Sequence, residues 1–165
     1  MRWLMTSVHD RRIYLLILGS LLIGYADVFV VFGLLKAFGI VLHTGVSEPR
    51  IDITVSTLPF LLIFMALIEE IMFRLPLAVA VEARAPKATI LLFAAVLSLA
   101  FGLLHGGILN IFIQGFGGFM YCVLFLKCGG YQKKYSQALA VSTTAHFLWN
   151  LSVSFTAIYF GATSM

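Results

Sequence analysis

Charge is scarce in this chain: Lys, Arg, Asp and Glu make up 11% of its 165 residues, where soluble domains carry about 25%. With 61% hydrophobic residues and a mean hydropathy of +1.03, that scarcity excludes an ordinary soluble globular domain and indicates an integral membrane protein. Cysteine is rare too. Cys122 and Cys128 fit neither a zinc-ligand pair nor a disulfide framework, and both read as ordinary buried thiols. An internal repeat and low-complexity tracts are lacking. The net charge of +4 is not a nucleic-acid signal, because the basic residues form short clusters between apolar spans, where membrane topology accounts for them. No nucleic-acid partner is expected. The length leaves room for one all-α membrane bundle of about five helices. Residues 1–165 then form a single integral membrane domain.

Arg2, Arg11 and Arg12 precede an apolar run that begins at Ile13. Gly24-Tyr25-Ala26 resembles a signal-peptide cleavage site, but apolar sequence resumes through Val28–Leu35 and makes one long first span. Asp27 inside it is expected to contact another helix or a cavity, with a functional role also open. Residues 36–56, with His43, Glu48, Pro49, Arg50 and Asp52, read as a loop with room for a short interfacial helix. The second span covers Thr57–Val81. Pro59 falls in its first turn, where proline is tolerated, and Pro76 near its end is a candidate kink. The third span is Ala88–Leu104, the fourth Ile108 to about Leu126, and the fifth about Ser136 to Phe160. Gly115, Gly117 and Gly118 suggest close helix packing. The N-terminus and the 82–87 and 127–134 loops are basic, so the positive-inside rule puts the N-terminus in the cytoplasm and the C-terminus outside.

The chain is organised around Leu67-Ile68-Glu69-Glu70-Ile71-Met72-Phe73-Arg74-Leu75. Ionisable groups inside an apolar span are costly. Glu70 and Arg74, at i and i+4, share a helix face and can pair, whereas Glu69 points about 100° away. Arg74 can therefore neutralise one carboxylate and leave the other poised for acid–base work. A buried Glu–Arg pair alone is explained by helix packing; an adjacent carboxylate without a local partner is not.

Two more polar islands lie in apolar surroundings. Phe101 and His105 stand at i and i+4 at the end of the third span, and His146 and Asn150 do so in the fifth. Each histidine alone is as readily a packing residue as a functional one. Glu69 lies about 12 residues, or roughly 18 Å, into its span, and His146 about 15 Å into its own, so the two can meet near the midplane. His105 is expected nearer the outside unless the Gly106-Gly107 turn dips inward. His9 and His43 are uninformative.

Taken in order, Glu69-Glu70-x-x-x-Arg74, Phe101-x-x-x-His105 and His146-x-x-x-Asn150 resemble the three motifs of the CPBP family. That family includes CAAX prenyl endopeptidases and bacteriocin-processing and abortive-infection membrane proteins. The resemblance runs from about Phe60 to Phe155, within a protease core placed at 58–155. It implies a glutamate-dependent intramembrane protease acting on a membrane-anchored or lipid-modified protein or peptide tail. On that likeness Glu69 is the base that activates water, helped by His105. His146 and Asn150 stabilise the oxyanion, Glu70 and Arg74 hold the site's geometry, and Phe101 packs beneath the histidine. The chain departs from many relatives in having Leu75-Pro76 where glycine follows the arginine. It is also shorter than the CAAX endopeptidases. In size it is similar to short bacterial members that process membrane-anchored tails, which implies a multi-pass protein of a prokaryotic inner membrane.

Two other function classes are compatible with the residues: a non-catalytic immunity or scaffold protein, and a small transporter whose polar islands line a pathway. The lack of a repeat argues against the transporter. No cofactor is expected. A divalent metal remains an alternative for two histidines and two glutamates, although there is no His-x-x-x-His half-site and Arg74 opposes a dication.

Overall fold

Long runs that are apolar on every face fold as helices and stay apolar outside when lipid, not water, surrounds them. The computed structural model describes residues 10–39, 56–106 and 108–161, which contain helices and no strand. They are α1 (Asp10–Ala37), α2 (Leu58–Glu82) and α3 (Lys87–Leu104), followed by the three-residue α4 (Ile108–Asn110). A π-helical turn (Ile111–Gly115) joins α4 to α5 (Phe116–Lys127), and a 3₁₀ turn (Gly130–Gln132) leads to α6 (Tyr135–Gly161). The five expected rods are present, the fourth with a π turn that the apolar pattern did not reveal. Most of the expected 36–56 loop lies outside the described residues.

Arg12–Ala37, Lys87–Leu104 and Ile108–Gln132 are long and apolar enough to cross a membrane. Helices α2 and α6, of 25 and 27 residues, have the length but carry polar residues inward. Outward stand large apolar side chains such as Tyr14, Phe29, Phe60 and Leu104. In water such a belt would drive aggregation; in a bilayer it is the solvated surface.

Helix α6 packs against α2, α5 and α1, while α3 packs against α5 and the π turn. One core cluster joins Leu77, Ile90, Phe125 and Ala138. Another joins Ile17, Tyr121, Val141 and Trp149. Helix α2 runs unbroken through Leu75-Pro76 to Glu82, with Pro59 in its first turn. The glycine expectation holds at Gly115, where a Cβ would come 2.9 Å from Ser98 O, and at Gly118, 3.0 Å from the Phe101 ring. It fails at Gly117, where a Cβ would meet only the Tyr121 ring of its own helix, at 3.8 Å, an ordinary van der Waals contact. The tightest approach was not foreseen: at Gly102 a Cβ would lie 2.6 Å from Ile111 Cα. Backbone meets backbone there, and the π turn is seated against α3 one turn before His105.

Glu82 accepts bonds from Lys133 Nζ (2.6 Å) and the Tyr135 hydroxyl (2.8 Å). These contacts bring the 82–87 and 127–134 basic loops to one end of the bundle, as the charge pattern requires. Asp27 is half-buried on α1 and forms no side-chain hydrogen bond or ion pair among the described residues.

Candidate active site

Glu69 and Glu70 occupy adjacent positions near the middle of α2, so their side chains diverge. Glu70 turns into the bundle, where Arg74 grips it in two parallel bonds, Nε to Oε2 and Nη2 to Oε1, each 2.8 Å. Such a fork satisfies charge and lone pairs together. Both side chains are almost fully buried, Glu70 at 1% exposure and Arg74 at 2%. The remaining guanidinium donors reach α5: Arg74 Nη1 to Cys122 Sγ at 2.8 Å and Nη2 to Gly118 O at 3.3 Å. Cys122 is thus more than the ordinary thiol expected; it is an acceptor for the site's cation. Cys128 is buried, as expected.

His146 stands between the two carboxylates. Its Nδ1 is 3.2 Å from Glu70 Oε1 and its Nε2 is 3.4 Å from Glu69 Oε2. The ring is stacked on Tyr121 (centroids 4.7 Å apart, planes at 18°) and meets Phe101 edge-on at 5.8 Å. Position and plane are therefore both fixed. His105 reaches the same oxygen, with Nε2 3.9 Å from Glu69 Oε2. Its Nδ1 lies 2.8 Å from Phe101 O, and Phe101 packs on its ring at 4.2 Å. His105, at the end of α3, thus stands beside the glutamate; Gly107 of the expected turn lies outside the described residues.

These contacts fix the tautomers. A carbonyl can only accept, so His105 Nδ1 carries the proton. Glu70, held by Arg74, accepts from His146 Nδ1–H in the same way. In their neutral forms both rings therefore present a bare Nε2 toward Glu69 Oε2. That oxygen is buried and has no hydrogen-bond partner among the described residues. An unpaired buried carboxylate oxygen flanked by two ring nitrogens is a place for a hydrogen-bearing molecule.

Asn150 is the one predicted site residue not gathered into this cluster. It lies one turn beyond His146 and lines an open cleft of about 560 Å³ between α1, α6 and the π turn. Asn110 and Gln114 line the same cleft, and Asn110 Nδ2 donates to His105 O at 2.6 Å. These two amides, with Tyr121 and Cys122, are the participants that sequence reasoning missed. A signal existed for the amides: both are polar and stand at i and i+4 in an apolar span.

The fold and site define a membrane-type helix bundle whose interior gathers two carboxylates, two histidines and an arginine. The chain belongs to the type II CAAX prenyl endopeptidase Rce1-like family, within the CPBP group, whose family model matches residues 52–152. Membership implies a protease working in a membrane on protein or peptide. Searches of curated proteins and of solved structures gave no match.

Proposed function

We propose that the chain is a multi-pass intramembrane endopeptidase of a prokaryotic inner membrane. It would cleave a membrane-anchored or lipid-modified tail by glutamate-activated water, with residues 58–155 as the protease core and no metal or other cofactor. The observation that best supports this reading is the unpaired, buried Glu69 Oε2 between two bare imidazole nitrogens. A water there can donate one hydrogen to Glu69 and the other to His105 Nε2, which orients its lone pair. Glu69 takes a proton as the water oxygen bonds to the scissile carbonyl carbon. The proton later passes to the departing amine nitrogen as the C–N bond breaks.

The oxyanion formed in between needs donors. Because His146 Nδ1 is engaged with Glu70, His146 can donate from Nε2 only as an imidazolium, with ionised Glu70 behind it to stabilise the charge. The Asn150 amide can donate without protonation once the carbonyl sits where cluster and cleft meet. Arg74 and Cys122 act through Glu70 and are positioning residues.

The test is cleavage in proteoliposomes by the native chain and by Glu69→Gln, which keeps the shape but cannot take the proton. Activity should fall by at least about a thousandfold at unchanged expression and melting temperature. Near-normal cleavage by this variant would show that Glu69 is not the base. Comparing membrane-protein termini from cells with native or Glu69→Gln protein would identify the substrate.

A further inference from the structure

Resting on the protease reading, we infer that the cleft beside the carboxylate–histidine cluster is a track for an extended peptide backbone, in which Gln114 pairs with a substrate peptide group. At about 560 Å³ the cleft falls within the range of about 300–1,000 Å³ typical of ligand sites. Its lining combines three amides, Asn110, Gln114 and Asn150, with three aromatic rings, Tyr25, Phe32 and Trp149. None of its described lining residues is charged, so those residues offer no counter-charge to a phosphate, a carboxylate or an ammonium group.

A bare hydrocarbon chain would have no use for the amides. Gln114 and Asn150 form no side-chain hydrogen bond among the described residues, so their donors and acceptors remain available. A side-chain amide offers one carbonyl and one NH₂, the same pair of functions as the peptide group it would meet. A helical substrate has its peptide groups satisfied internally; an unwound one presents them, and in an apolar setting they must find partners. The aromatic rings provide packing surface for apolar side chains of that strand, or for its anchor. Tyr25 and Trp149 are themselves in contact, with ring centroids 5.0 Å apart.

The track is joined to the chemistry at two points. Asn110 donates to the His105 carbonyl, which ties the polar wall to the residue that ends α3. Asn150 follows His146 by one turn of α6. The π turn that carries Gln114 is of the kind often found at functional sites, and its seat against Gly102 keeps the amide in register with His105.

The experiment uses full-length Glu69→Gln protein in detergent, so that binding is read without cleavage. The probes are N-palmitoyl-pentaalanine amide, a series in which lactate replaces one alanine at a time to turn an amide NH into an ester oxygen, and palmitamide alone. The peptide conjugate should bind more tightly than palmitamide. At least one ester should weaken binding by about threefold to tenfold, the value of one neutral hydrogen bond. That penalty should vanish when Gln114→Met is added, which keeps the length of the side chain and removes its amide.

Three results would overturn the inference: palmitamide binding as well as the conjugate, which would make the cleft a lipid-chain site; no ester having an effect; or the penalty surviving Gln114→Met undiminished. The first two comparisons need no change at Gln114 and stand even if that variant does not fold. A native enzyme that binds the conjugate in this way yet cleaves nothing would refute the protease reading and leave the track in place.

Discussion

Arg74 holds Glu70 through two 2.8 Å bonds one helical turn apart, and both groups are shut off from solvent. This pair is the rigid backing of the site, because Glu70 in turn holds His146. Glu70→Gln would leave a buried guanidinium without its counter-charge, a change that costs about 3–5 kcal/mol in buried pairs. A melting temperature well below that of Glu69→Gln in the same detergent is expected, with activity also reduced. Equal melting of the two variants would mean that Arg74 does not depend on Glu70.

Cys122→Ala tests the other end of the guanidinium. It removes the acceptor of Arg74 Nη1 while Gly118 O stays in place. A stability loss of about 1–3 kcal/mol is expected. The cleavage rate should fall, though less than in Glu69→Gln, and Cys122→Ser should lie between native and alanine. An alanine variant that melts and cleaves like the native chain would reduce Cys122 to a packing residue.

Cys122 also marks where the sequence stops being legible. Helix positions, the Glu70–Arg74 pair and the divergence of Glu69 follow from periodicity along a single helix, which any reader of the chain can count. The meeting of Glu69, His105 and His146 was within reach because three islands of acid–base residues on separate apolar spans need a common interior. Contacts between helices with no polar signal were not within reach. Whether Cys122 faces a cation or a leucine depends on the rotation of α5, and that rotation is set by Gly118 against Phe101. The π turn is hidden for the same reason, since the Gly102–Ile111 contact that seats it is tertiary.

At the end of the bundle with the basic loops, the bonds from Lys133 and Tyr135 hold the Glu82 carboxyl below its usual range. Burial and the bond to Glu82 push Tyr135 up to about 12. A depressed carboxyl stabilises the fold above its unfolded value of 4.5, and that contribution fades as pH falls through its lower folded value. A raised phenol contributes fully below about 10 and loses its contribution as pH climbs toward 12. Melting curves should therefore show native protein slightly above Glu82→Gln at pH 7, the gap closing under acid and again under strong alkali. High salt should narrow it throughout, because the pair is exposed. A gap independent of pH would point to packing rather than charge.

The charge pattern also makes a topological claim that can be measured. Phe38 follows α1 and Lys134 precedes α6, and both are exposed. The native cysteines are buried and can stay in place. In intact cells, an impermeant thiol reagent should label Phe38→Cys and spare Lys134→Cys. The reverse pattern would invert the assignment, and labelling of both would break the five-span scheme.

The same residues raise the question of a metal. Both histidines present Nε2 with Nδ1–H tied back to an acceptor, which is also how zinc ligands are oriented. Three considerations favour the metal-free path. Among the described residues no three His, Cys, Asp or Glu side chains form a group able to hold an ion. Arg74 stands on Glu70, immediately behind His146, and opposes a second cation nearby. The proposed mechanism, with Glu69 as the base, calls for no ion. Purified enzyme treated exhaustively with a strong chelator should keep most of its cleavage activity and contain less than one zinc per chain. Loss on chelation that returns with added zinc, together with stoichiometric metal by elemental analysis, would turn Glu69, His105 and His146 from base and donors into ligands. Inhibition by excess zinc would not do so, because an ion competing for the Glu69 oxygen and the two bare nitrogens would block the water in either mechanism.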